Sequence, residues 1–306
     1  MRGLFLILSA ALLHITLCAQ GHEEHGHEDS IPSEAEVRRQ VEALFTYQHG
    51  EVWLGNGMAV LEVPAGHKFL DATQSLRVIH ELWGNTAVDA VLGMLLPEGD
   101  SLLADDALAI VLQYEPVGRV SLSGADDLDP EVLLARIQER ELDDNARLAE
   151  QGQEPAFTMG WPLPPVLDEA RHTLHWGKHL QVGEGEEAGD LLIADARLLG
   201  RHGVLIANAV TSLDDADRVG KAFVDLLRAL RFAPGQDYAS FEEEIDLVSP
   251  WTLNGLLLGR LEEQRPEEPF WNGTRRTGAL LIGSLLMLAW LWFRQRKASA
   301  GGSVVP

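Results

Sequence analysis

Asp168, His172, His175 and His179 fall within a stretch of twelve residues. Imidazole nitrogens and a carboxylate are what a divalent cation such as zinc takes as ligands, and it needs three or four of them converging. On a helix the three histidines would share one face; on a strand only His175 and His179 would. The spacing alone therefore builds no site. His175, His179 and Asp168 stand as candidate metal ligands, and equally as the polar face of a strand. A second His-rich tract, His22, His25 and His27 among Glu23, Glu24 and Glu28, could hold a transition metal, but ordering a polar leader around it costs entropy. No other cofactor is implied.

Gly160-Trp161-Pro162-Leu163-Pro164-Pro165 must be extended, and its prolines bar it from the middle of a sheet. Trp161, Pro165, Asp168 and Trp176 are thus candidate binding residues lining a groove. The alternative is that both tryptophans anchor a core and the prolines stiffen a crossover. Arg201 joins the candidates because Gly200-Arg201-His202-Gly203 reads as an exposed hairpin tip. The chain has no Gly-x-Ser-x-Gly elbow, no phosphate loop and no dinucleotide fingerprint. Asp126-Asp127 and Asp143-Asp144 read as turn and helix-surface acids. Catalytic residues are unknown, and a binding protein is favoured over an enzyme.

Charge narrows the partners. Residues 20–293 hold all 47 acidic residues against 20 of the 24 basic ones, a net −27 with His neutral. A field of that sign repels nucleic-acid backbones and anionic surfaces. Cys18 is the single cysteine, so nothing staples the main domain and an ordinary apolar core must hold it.

The elements that would position these residues read as follows. Ser33-Glu34-Ala35-Glu36 is a capping box, followed by Val37, Val41, Leu44 and Phe45 at helical spacing. Val52–Leu54 and Met58–Val63 flank Gly55-Asn56-Gly57, a hairpin signal. Asp71 opens a second helix bearing Leu76, Ile79, Leu82 and Trp83. Val91–Leu96 and Ala107–Tyr114 read as strands, the latter apolar enough to be covered on both faces. Asp129-Pro130 opens a helix to about residue 150. Thr173–Val182 alternates, with Leu174, Trp176 and Leu180 opposite His175 and His179. Leu191–Leu199 and Val204–Val210 pair around Gly200–Gly203. Ser212 or Asp214 caps a helix with Val219, Phe223, Leu226, Leu227 and Leu230 as its stripe. Ser249-Pro250 starts a last helix through Leu261. Hairpins with helices between them predict an α+β fold, mainly an antiparallel sheet with flanking helices, plus one C-terminal transmembrane helix.

The ends give an address. Residues 1–19 read as a signal peptide, with Arg2 before the apolar Leu4–Leu17. Residues 20–32 form a polar leader, 33–260 the extracytoplasmic domain and 261–276 a juxtamembrane linker. Thr277–Phe293 has 17 residues without a charge. At about 1.5 Å each it covers roughly 25 Å, a short span for a bilayer core. Arg294, Arg296 and Lys297 then hold residues 294–306 in the cytoplasm.

At Gly160-Trp161, Pro165 and Asp168, Leu174-His175-Trp176, and Leu199-Gly200-Arg201-His202-Gly203-Val204-Leu205, the chain resembles a known family. It is the bacterial group of predicted membrane-anchored proteins called domain of unknown function two-one-six-seven. Trp83-Gly84-Asn85, Leu92-Gly93-Met94-Leu95 with Pro97, Asn145 with Arg147, and Phe232-Ala233-Pro234-Gly235 with Tyr238 and Phe241 also fit. It departs from the family pattern at Gly118–Gly124, Val166-Leu167-Asp168 and Val248-Ser249-Pro250. The resemblance implies a signal peptide, an ectodomain and a C-terminal anchor, and carries no established activity. The expectation is a single-pass inner-membrane protein, its N-terminal domain periplasmic, engaging another envelope protein. The alternative is an extracytoplasmic metal-binding protein or metal-dependent hydrolase.

Overall fold

The computed structural model describes residues 33–85, 90–104, 107–125, 128–185 and 188–259. The signal peptide, leader, linker, anchor and tail expected from the sequence lie outside those residues. Among the described residues no helix is long and apolar enough to cross a membrane.

Two antiparallel sheets carry the fold. The smaller has strands β1 (Glu51–Leu54), β2 (Ala59–Glu62) and β10 (Leu230–Phe232) in the order β1-β2-β10. Its hairpin is the one expected, with Asn56 in the left-handed region at φ 58°, where Asn is tolerated. The larger sheet has seven strands in the order β3-β4-β5-β9-β8-β7-β6. These are β3 (His67–Asp71), β4 (Val91–Pro97), β5 (Ile110–Glu115), β6 (Ala156–Asp168), β7 (Thr173–Val182), β8 (Gly189–Leu199) and β9 (Val204–Ser212). The chain is α+β, as its hairpin rhythm predicts.

The two edge strands depart from the sequence reading. The first, β3, carries only Phe69 and Leu70 as apolar residues, too few to show a period. It holds because buried Lys68 donates to the Asp100 carbonyl at 2.8 Å and lies 3.8 Å from Glu42. The second, β6, takes in the whole proline-rich segment. Its register with β7 slips at Gly160, Leu163 and Val166. Those slips bracket Pro162, Pro164 and Pro165, whose missing N–H groups an edge strand with bulges tolerates.

Both faces of the large sheet are covered, so its central strands are apolar on both sides. On one face the small residues Ala194, Ala196, Ala207 and Ala209 of β8 and β9 admit helix α4 (Ala216–Ala229) and the small sheet. Val219, Phe223 and Leu226 are the buried stripe of α4, each contributing roughly 1.5–3 kcal/mol by leaving water. That helix stops at Ala229, and Leu230 becomes the first residue of β10 rather than the end of the stripe.

On the other face, α1 (Glu34–Glu42) and α2 (Ala72–Arg77) lie at the β3 end. Ser33 caps α1, accepting from Glu36 N; Asp71 caps α2, accepting from Gln74 N at 2.9 Å. A π turn, Val78–Leu82, follows and buries Val78 and Ile79. At the β6 end lie α3 (Pro130–Glu150), which buries Leu133 and Ile137 against Leu174 and Trp176, and α5 (Leu253–Leu258). This last helix starts later than Ser249-Pro250 suggests, because Thr252 is the cap that accepts from Gly255 N.

Candidate functional site

The residues singled out in the sequence do not form one cluster. Trp161 packs against the α3 core and donates its indole N–H to the Pro130 carbonyl at 2.8 Å. Trp176 is buried in the same core, and Pro165 is buried within β6. Those three side chains thus sit as packing anchors. His175 and His179 do share the face of β7 opposite Trp176. His179 Nε2 lies 2.6 Å from an Asp190 oxygen. Burial pushes the His175 imidazole below its usual range, with Asp168 pulling the other way, and among the described residues its Nδ1 has no hydrogen-bond partner. Among the described residues no group of three or more His, Cys, Asp or Glu is placed to hold a metal.

Arg201 leads to a different site. The β8–β9 hairpin closes with Gly200 N donating to Gly203 O at 2.9 Å. Both glycines are there for close approach. A Cβ on Gly200 would run into the Phe232 ring, and one on Gly203 into the Glu115 carbonyl. Arg201 is no free tip: it donates to Asp246 at 2.7 Å and Glu242 at 2.9 Å. Its backbone N–H reaches the Gln236 carbonyl at 3.0 Å. Gly118 N donates to His202 O, and Arg119 N to Leu247 O. The hairpin is thereby laced to segments 117–120 and 236–249.

Burial alone would raise the Asp246 carboxyl, but the Arg201 hydrogen bond, the Glu242 amide and the charges of Arg201 and His202 outweigh it and hold it low. A carboxyl lowered on folding adds stability above its unfolded value and loses it as pH falls through the folded one. Asp246→Asn is therefore expected to unfold at lower urea than wild type at pH 7. The gap should close as pH falls below the ordinary value of 3.8. A gap independent of pH between 7 and 2.5 (about the range where carboxylates titrate) would show that Asp246 does not act through its charge.

Beside this latch, Tyr238 donates its hydroxyl to the Val120 carbonyl at 2.8 Å. The Arg119 guanidinium lies 4.0 Å over its ring and 4.7 Å over Phe241. His172 stacks on Tyr238 with centroids 4.3 Å apart and planes 22° from parallel. It ends the β6–β7 turn at φ 52°, in the left-handed region.

Between these groups opens a cleft of about 270 Å³. Leu198 and Leu199 of β8 and Leu227 of α4 form apolar walls with Leu230 and Phe232 of β10. Arg171, Arg228 and Arg231 line it together with His172, Asp237 and Tyr238. Burial and the Arg119 charge push His172 below its usual range, against weaker pulls from Asp237 and Asp168. Burial would raise Asp237, but the Ser240 hydroxyl and the Ser240 and Ala239 amides outweigh it and keep the group ionised.

Residues 46–263 match the family described as "Protein of unknown function (DUF2167)". The chain belongs to this family. Of the segments that carried the resemblance, Leu199, Phe232 and Tyr238 line the cleft and Arg201 forms its latch, while Trp83–Asn85, Leu92–Leu95, Asn145, Trp161 and Trp176 lie elsewhere. No curated protein matches the chain. Among solved structures it is similar to the cyanobacterial PsbP of Synechocystis sp. PCC 6803, with 13% identity, 70% of this chain and 100% of that chain covered, and a TM-score of 0.34. It is similar to the Saccharomyces cerevisiae Ran-binding protein Mog1p, with 15% identity, 65% and 100% covered, and a TM-score of 0.33. A third is LpqN of Mycobacterium tuberculosis, involved in cell envelope biogenesis, with 11% identity, 66% and 98% covered, and a TM-score of 0.33. Likeness this slight carries no argument about function.

In the sequence Arg228 and Arg231 read only as basic residues at the end of a helix, and Arg171 carried no signal. Tyr238 was visible only as part of the family pattern.

Proposed function

We propose that this family member is a single-pass inner-membrane protein whose periplasmic domain binds another envelope component, with the cleft beside the β8–β9 hairpin as its binding surface. The observation that carries the reading is convergence. The β6–β7 turn, the β8 end, the α4 end, β10 and the Asp237–Tyr238 turn all meet at one concavity. The Arg201 latch and the Arg119–Tyr238 stack hold its rim. The carriers of charge there come from separate elements, as expected of a site assembled by the fold rather than of a solvated helix face. The signal-like and anchor-like ends of the chain supply the location.

The test is site-specific photocrosslinking in native membranes. A photoreactive residue at Arg171, on the cleft, should give a discrete adduct. One at Glu139, on the exposed side of α3 across the sheet, should not. The Arg171 adduct should disappear when Arg228 and Arg231 are both replaced by Glu. No adduct from position 171, or the same adduct from both positions, overturns the reading.

A further inference from the structure

We infer that the cleft takes a small oxyanion, phosphate or carboxylate, joined to a short apolar moiety. This rests on the reading of the cleft as the binding surface and names the chemistry of its occupant.

The chain is acidic, at −23, yet three arginines line this concavity against one aspartate, with Asp168 and Glu51 beside Arg171 and Arg231. The contradiction is one of range. Screening at physiological salt cuts off exposed charges beyond about 8 Å, so a small anion inside the cleft responds to its lining and not to the acidic surface elsewhere. A polyanion such as a nucleic acid would extend past that distance and meet the repulsion. The anion's opponents inside are weak. The Asp237 oxygens are turned to the Ser240 hydroxyl and the Ala239 and Ser240 amides. The C-terminal end of α4 also disfavours an anion, and Arg228, in its last turn, offsets that dipole.

The guanidinium groups are available. Arg231 and Glu51 are 3.4 Å apart, and Arg171 and Asp168 are 3.8 Å apart, all four side chains being well exposed. Such surface pairs are worth little and exchange readily for a better partner. Among the described residues Arg228 makes no ion pair. A guanidinium fork matches the planar geometry of carboxylate or the oxygens of phosphate, which a lysine would not. The leucines and Phe232 give the rest of the ligand an apolar surface. At about 270 Å³ the space lies just under the usual range for small-molecule sites, roughly 300–1,000 Å³, so the apolar part must be short or must project outward.

The test uses the full chain in phosphatidylcholine nanodiscs, with binding followed by calorimetry. Hexyl phosphate and hexanoate are the probes, and inorganic phosphate and hexanol are the controls. Hexyl phosphate should bind at least tenfold more tightly than either control. Arg228→Ala with Arg231→Ala should weaken it at least tenfold, and the double Lys variant should recover part of the loss. Both positions are exposed, so the variants should keep the wild-type melting temperature. Replacing the nanodisc lipid by phosphatidylglycerol assigns the source. Competition with hexyl phosphate identifies a lipid headgroup, and unchanged binding identifies a soluble anion. No binding of hexyl phosphate or hexanoate, or equal binding by the Ala variant, overturns the inference. If the Arg171 crosslink survives that result, only the ligand class is wrong. If the crosslink is absent as well, the cleft is not the binding surface.

Discussion

Replacing Asp195 by Ala is expected to destabilise the domain by about 3–5 kcal/mol, the range for breaking a buried ion pair from one side. Asp195 and Arg197 alternate along β8 and share its face toward α3, both nearly inaccessible to water. Arg197 donates to Asp195 at 2.8 Å and lies 5.2 Å from the Trp176 ring that pairs across from Asp195 on β7. Removing the carboxylate leaves the guanidinium with the Ala196 carbonyl at 3.4 Å and the charge of Glu115 in place of its 2.8 Å partner. It also removes an opposing charge from Lys178, whose ammonium is pushed down by burial and by Arg140 and supported by Asp195 and Glu141. For a domain of this size the loss amounts to a fall of roughly 10 °C in melting temperature, at about 2–4 °C per kcal/mol. The double change Asp195→Leu with Arg197→Met should recover most of that loss, because an apolar pair of similar volume avoids the desolvation cost, while Lys178 still lacks Asp195. Calorimetric melts of the single and double variants decide the matter. A single variant that melts within a degree or so of wild type would mean that water reaches the pair.

The second large effect is expected at Gly203→Ala. Its Cβ would enter the Glu115 carbonyl and lie 2.7 Å from the Tyr114 hydroxyl and 2.9 Å from Pro116 Cα. Two of these atoms are backbone, so no side chain can rotate away. Overpacking of this kind costs about 1–3 kcal/mol, and the rigid partners put this case at the upper end. The β8–β9 hairpin would have to lift from β5, loosening the Gly118–His202 hydrogen bond and the Arg201 latch with it. The expected readout is a lower urea midpoint with the slope unchanged, and faster exchange of the Gly118 and Arg201 amide hydrogens. Ser121→Ala serves as control, since among the described residues that hydroxyl bonds to Ser123 within its own turn. Equal midpoints for the Gly203 and Ser121 variants would refute the packing argument.

Much of the fold was legible because its signals are local. Ser33, Asp71 and Asp129 sit where helix caps belong, and each accepts from an amide at the start of its helix. Alternation in Thr173–Val182 placed Trp176 and His175 on opposite faces, as found. The unbroken apolar run at Ala107–Leu112 announced a strand covered twice, and its residues do enter two different cores. What escaped was short or composite. His67–Asp71 and Leu230–Phe232 are strands of five and three residues, below the length at which a period can be read. They exist because a neighbouring strand offers them an edge. The prolines barred β6 from the middle of a sheet, and it does lie at the edge, where it pairs with bulges.

Sequence by itself determined the α+β class, the family, and the order of helices and hairpins, since caps, turns and periodicity act within a few residues of chain. The tertiary structure decided which charges meet. Arg171, Arg228 and Arg231 lie up to sixty residues apart and converge only after α4 and β10 fold back on the β8 end. The same folding turned Arg201 from an expected tip into a latch and divided the histidines among a stack on Tyr238, a carboxylate pair and a half-buried ring. Cohesion between distant segments depends on the path of the chain through space, and no spacing along the chain encodes it.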